Sequence, residues 1–370
     1  MTSIVTARGA HDFLAVLPHL IGMQPRDSLV LVAFRGNLTA AAMRFDLPPE
    51  DEVADAQATM ANTVVGMVCR VPRVDALVPV VYADVVPAGD GRPPRERLID
   101  EILRCAEGSG FVVRDALWVI AAGWGHYPAC GDPRLQDHAL VESSAILNAI
   151  DPGDRRELTD PVEATTLPPV DERTRRRVAA LHRRLHGARG DAAELVRVLT
   201  GLGFGHDLVL FADRLLMTGG AISHEDAAVL AFFSRTARLR TVILVTWGWG
   251  AEAGDEAAES AIRAVPATHG EDPRTAGALG GWGMPRPDAA RIELAMGVLK
   301  TAAAWAPVGA RAPMVAMLGW LNWSLGRGSV AARWVDQARS LEPELVIARL
   351  LDDMLSVGHL PEWAFAEPAS

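Results

Sequence analysis

Residues 28–46 read SLVLVAFRGNLTAAAMRFD. The first eight are apolar and rich in β-branched side chains, and Gly36-Asn37 is a tight-turn pair. The run that follows alternates, with Thr39, Ala41, Met43 and Phe45 on one face and Ala40, Ala42, Arg44 and Asp46 on the other. A period of two on each side of such a turn predicts a β-hairpin. Pro48-Pro49 closes it.

Outward from the hairpin, the spacing turns helical between Glu52 and Cys69, with Val53, Gln57, Met60, Val64 and Met67 on one stripe. Residues 76–83 (ALVPVVYA) suit a strand, and Pro79 inside it points to a sheet edge. A helix from about Arg95 to Glu107 turns Leu98, Ile102 and Cys105 inward. Residues 111–122 (FVVRDALWVIAA) form the next strand. Strands and helices in this order predict a mixed sheet, a hairpin plus crossover helices, with at least one parallel connection.

The stretch 151–171, DPGDRRELTDPVEATTLPPVD, is rich in proline and charge and reads as a linker. The expected domains are therefore an α/β domain at 1–150, the linker, and an all-α domain at 172–370. Residues 172–187 and 191–202 are amphipathic helices. Ser223 to Asp226 is a capping box that opens a helix running to about Arg240. Residues 242–246 (VILVT) suit either a strand or the end of that helix. Near the C-terminus, Leu318, Gly319, Ala331, Ala338 and Pro343 match a tetratricopeptide template, while Val315, Asn322 and Val335 depart from it. The pair is tetratricopeptide-like; an ordinary helical hairpin fits the same residues.

Residues 17–31, LPHLIGMQPRDSLVL, with Arg44-Phe-Asp-Leu-Pro48 and the later DALWVIAAGWGHYPACGDP, resemble an actinobacterial domain-of-unknown-function family. Its members open with an LP-x-L-x-G-x-x-P-x-D-S-L-V motif and carry a cysteine cluster after the later loop. Here only Cys130 stands in that loop, so the resemblance implies neither a metal nor a disulfide there. It carries no activity with it.

Composition removes several chemistries. Among 36 basic residues Lys300 is the single lysine, so a phosphate-loop, Schiff-base or Ser-Lys lysine could only be that residue. Net charge is −10, which does not suit a nucleic-acid partner. Cys69, Cys105 and Cys130 are too few for a disulfide framework. With no secretory leader and no long apolar run, a cytoplasmic protein without a membrane partner is expected.

Three groups of residues could carry chemistry. His126, Tyr127, Cys130 and Asp132 share the loop after the 111–122 strand, where a Cys-His pair could generate a thiolate; the same residues also suit a plain surface turn. Asp27, Arg44 and Asp46 gather at one sheet edge, either to bind an anionic group or to pin the hairpin as an ion pair. Trp320 and Trp323 could anchor a peptide, or fill the core. The arginine-rich helix 172–187 reads as a solvated face. His182 and His186 have zinc spacing but cationic neighbours, so no metal is expected. Gly248-Trp-Gly250 departs from the dinucleotide fingerprint, and no cofactor is expected.

The leading expectation is a non-enzymatic binding protein that uses the helical domain for a peptide or protein partner. The alternative is a small-molecule enzyme or sensor, with a site at the strand ends of the N-terminal domain around Arg44 and His126.

Overall fold

The computed structural model describes residues 6–48, 54–84, 93–131, 134–150, 161–219, 221–263 and 273–366. The chain divides into two compact units: Met1–Ala164 with Phe365–Ser370, and Thr165–Ala364.

The first unit holds helix α1 (Ala10–Ile21), strands β1 (Ser28–Arg35) and β2 (Leu38–Asp46), and helix α2 (Ala54–Cys69). Strand β3 (Ala76–Tyr82), helix α3 (Glu96–Gly108), strands β4 (Val112–Val113), β5 (Leu117–Ile120) and β6 (Gly123–His126), and two single-turn helices, α4 (Ala139–Glu142) and α5 (Pro161–Ala164), follow. The strands form a six-stranded mixed sheet in the order β2-β1-β3-β5-β6, with β4 also on β3. β1 is antiparallel to β2 and β3, β3 is parallel to β4 and β5, and β6 returns antiparallel along β5.

Alternation divides the sheet into two apolar faces. Leu29, Leu31, Leu77, Val81 and Trp118 pack with Val64, Val68, Leu98, Ile99 and Ile102 of α2 and α3. Val30, Val32, Val80, Tyr82, Leu117 and Trp124 pack on the other side with Leu14 and Leu17 of α1. The hairpin faces follow the expected alternation, with Ala41, Met43 and Phe45 on the first core and Ala42 on the second.

Several expectations are corrected. Pro79 lies in a central strand. It sits between the residues paired with β4 (Ala76, Leu77) and those paired with β5 (Val80 to Tyr82), so its missing N–H breaks no ladder bond. The stretch 111–122 is two short strands, and Gly123-Trp-Gly-His126 is itself a strand, returning through a two-residue turn at 121–122. The buried stripe of α2 is Ala61, Val64, Val65 and Val68, beside Met67. Helix α1 has no counterpart in the sequence-based expectations; Pro18 lies inside it, and Gly22 ends it with φ 72°.

The second unit is helical: α6 (Glu172–Gly187), α7 (Ala192–Gly201), α8 (Leu208–Met217), α9 (His224–Ser234), α10 (Ala237–Trp249) and α11 (Ala251–Arg263). The remainder are α12 (Pro273–Gly280), α13 (Ala289–Trp305), α14 (Val308–Ser324), α15 (Gly328–Leu341) and α16 (Val346–Ser356). Asp171, Asp191, Asp207, Ser223 and Asp288 each cap a helix by accepting backbone N–H bonds. Residues 242–246 belong to α10, which is buried from Arg240 to Gly248. A helix enclosed on every side loses its apolar period, which is why VILVT also suits a strand. In the α14–α15 hairpin Gly319 lies against Val335 and Ala331, where an added Cβ would be 3.0 Å from the Val335 side chain.

Candidate functional site

The register of the sheet sets one row of side chains across its α1 face. Asp46 pairs with Ser28, Ser28 with Tyr82, Tyr82 with Val119, and Val119 with Trp124. Directly paired residues point to the same side of a sheet, so these five stand in line at the carboxyl ends of β3 and β5. Ligands of open α/β sheets bind at such strand ends.

A cleft of about 420 Å³ opens on this row. Tyr82, Val119 and Trp124 form its floor, Leu14, Ala15 and Pro18 of α1 face them, and His138, Val141 and Leu147 close one side. Gln24, Arg26, Asp84 and Glu142, all exposed, line its rim. The volume lies within the range of small-molecule pockets, about 300–1,000 Å³.

Tyr82 is the informative member. It is 7% exposed, and no described group hydrogen-bonds its hydroxyl. Burial pushes its phenol well above the ordinary range, so the group stays a neutral O–H donor. Beside it Ser28 is fully buried and its Oγ is also without a partner. The Trp124 indole N–H, by contrast, donates to the Asp137 carbonyl at 3.2 Å.

The walls are tied down. Ser144 Oγ donates to Asp12 Oδ1 at 2.5 Å and the Arg8 amide donates to Asp12 Oδ2 at 3.0 Å, joining α1 to the turn that leads to Leu147. These bonds, the serine's first, hold the Asp12 carboxyl below the usual range. His138 Nε2 donates to the Ile120 carbonyl at 2.8 Å.

The expected site residues fall in three places. Arg44 Nη2 lies 2.8 Å from Asp46 Oδ1 and donates to the Arg26 carbonyl at 3.0 Å. Asp27, at φ 37°, accepts the Asp84 amide on Oδ1 at 3.1 Å and the Leu47 amide on its carbonyl. The trio therefore does not converge on a common ligand position; it holds the Arg26 and Asp84 segments that line the cleft.

His126 lies at the opposite end of β6, paired with Leu117; it does not line the cleft, although its ring packs 5.8 Å from that of Trp124, a floor residue. Its Nδ1 is 2.9 Å from Asp115 Oδ1. Burial and the carboxylates Asp115 and Glu107 push the Cys130 thiol up, opposite to what a nucleophile needs. Tyr127 is buried and donates to the Pro94 carbonyl. Asp132 lies outside the described residues.

Trp320 and Trp323 are enclosed in the helical unit, at 1% and 0% exposed. Their indole N–H groups donate to the Leu279 and His359 carbonyls. Neither is open to a peptide, which corrects their expected role as anchors.

A scan against protein-family models matches residues 11–362 to the family described as Domain of unknown function (DUF4192). The chain belongs to this family. The match takes in both units and every residue of the cleft. No curated protein and no solved structure matches the chain. No described helix is long and apolar enough to cross a membrane. The described residues contain no group of three or more His, Cys, Asp or Glu arranged to hold a metal ion.

Tyr82 and the cleft were missed by sequence reasoning, which singled out Tyr127. The available signal was positional: Tyr82 ends the apolar run ALVPVVY, at the carboxyl end of a strand.

Proposed function

We propose that this DUF4192 protein binds a small organic molecule in the cleft at the carboxyl ends of β3 and β5. The observation that carries the reading is the Tyr82 hydroxyl, held in an apolar cleft without a hydrogen-bond partner. A hydroxyl that faces such a cleft can donate to a bound ligand, a neutral hydrogen bond worth about 0.5–1.5 kcal/mol.

The cleft collects no described nucleophile, and the reading is of binding, as a receptor or sensor. Free thiols at Cys69, Cys105 and Cys130 support a cytoplasmic setting. Peptide or protein binding by the helical unit, with α14 and α15 as a tetratricopeptide-like pair, ranks second because its intended anchors are enclosed.

The test uses Ala121, an exposed cleft residue in the β5–β6 turn. Wild type and Ala121→Trp are purified from native lysate and their bound small molecules identified by mass spectrometry. A compound retained by wild type and absent from the variant supports the reading. Identical small-molecule content in both proteins contradicts it.

A further inference from the structure

The cleft sorts its polarity by depth. Every fully charged side chain that lines it, Arg26, Asp84 and Glu142, is exposed at the rim. The floor and the α1 wall present Val119, Trp124, Leu14, Ala15 and Pro18, with the Tyr82 hydroxyl and the half-buried His19 imidazole as their polar groups. A charge driven to that depth would lose its hydration and meet no carboxylate or guanidinium, which is costly. An uncharged group with one hydrogen-bond acceptor meets no such penalty.

Shape narrows the choice. The floor is a sheet face that carries two aromatic rings in one cross-strand row, and Ala15 and Pro18 make the opposing helix surface shallow. Apolar side chains from both the sheet and α1 therefore line the cleft, which suits the faces of an aromatic ring.

Building on the small-molecule reading above, we infer that the occupant is an uncharged heteroaromatic ring whose ring or carbonyl acceptor takes the O–H of Tyr82. Any charged substituent of the ligand stays at the rim, where Arg26, Asp84 and Glu142 offer both signs. Tyr82 positions the ring through its hydroxyl; Trp124, whose indole N–H is already bonded, contributes surface alone.

The test is ligand-observed NMR on the full chain with nicotinamide, adenosine and caffeine as uncharged rings, and benzoate and inorganic phosphate as anions. Tyr82→Phe removes only an unpartnered hydroxyl, and an unchanged melting temperature shows that the variant folds. Ala121→Trp blocks the cleft mouth. The expected result is binding of at least one uncharged ring that Ala121→Trp abolishes and Tyr82→Phe weakens about fivefold, the worth of one neutral hydrogen bond. Ring binding that Ala121→Trp abolishes but Tyr82→Phe leaves unchanged overturns the inference while the cleft reading stands. So does tighter binding of either anion at the same site. If none of the rings binds wild type, the inference fails. If binding is indifferent to Ala121→Trp, the cleft reading fails with it.

Discussion

Ser28 and Tyr82 are direct cross-strand partners in the β1–β3 ladder, and neither hydroxyl has a hydrogen-bond partner among the described residues. Of the two, the Ser28 hydroxyl is the buried orphan and carries a stability cost beside the cleft. Tyr82 reaches the cleft space itself, whereas Ser28 lies fully enclosed behind it.

Ser28→Ala is expected to raise stability by up to about 1 kcal/mol, because it deletes a buried hydroxyl that bonds nothing. Urea unfolding of the variant and wild type measures the difference. A loss of the same size would mean that the hydroxyl is bonded in solution.

Ser144→Ala is expected to destabilise by about 1–2 kcal/mol near neutral pH, since it removes the bond from a buried hydroxyl to the Asp12 carboxylate. The folded Asp12 carboxyl titrates below its unfolded value. Its contribution is therefore present above the unfolded pKa, about 3.9, and is lost as pH falls through the folded one. The gap between variant and wild type should narrow in urea titrations towards pH 3. A gap that widens in acid would show the reverse linkage.

His182, buried on α6 with an unpartnered Nε2, has its pKa lowered by burial first, then by His186 and Arg235. The unfolded chain thus takes up this proton at a higher pH than the folded one. Stability should fall as pH drops below about 6.5, the unfolded value. His182→Leu should flatten that part of the profile, read from unfolding midpoints between pH 5 and 8. An unchanged slope would assign the titration to another group.

Gly125 in β6 lies against Trp118, where an added Cβ would stand 2.5 Å from the indole ring. Gly125→Ala should cost about 1–3 kcal/mol, the usual penalty for overpacking a core. Gly36→Ala offers the contrast: its Cβ meets nothing, and strain at φ 51° is its cost. Thermal unfolding that ranks Gly125→Ala as harmless would contradict the packing.

How much of this could be read from the sequence depends on whether each element keeps its period. The hairpin was legible because β1 and β2 alternate about Gly36-Asn37, and Arg44 and Asp46 share a face as their spacing requires. Strand β6 was not, since Gly123-Trp-Gly-His carries glycines chosen for close approach rather than β-propensity. α10 lost its helical signature through burial on all sides, and α1 lost it through Pro18. The tryptophans had two open readings, and enclosure of Trp320 and Trp323 decides for the core. The cleft was illegible because α1, the end of β3, the β5–β6 turn and the 138–147 segment meet only in space. Cross-strand register, which joins Tyr82 to Val119 and Trp124, is not written in any local pattern.

Backbone amide NMR on the labelled full chain, titrated with the small-molecule fraction of a cell extract, tests the account most directly. Shifts should gather at residues 14–19, 24–26, 82–84, 119–124 and 138–147, and Ala121→Trp should erase them. Shifts confined to residues 165–364, or none at saturating extract, would contradict it.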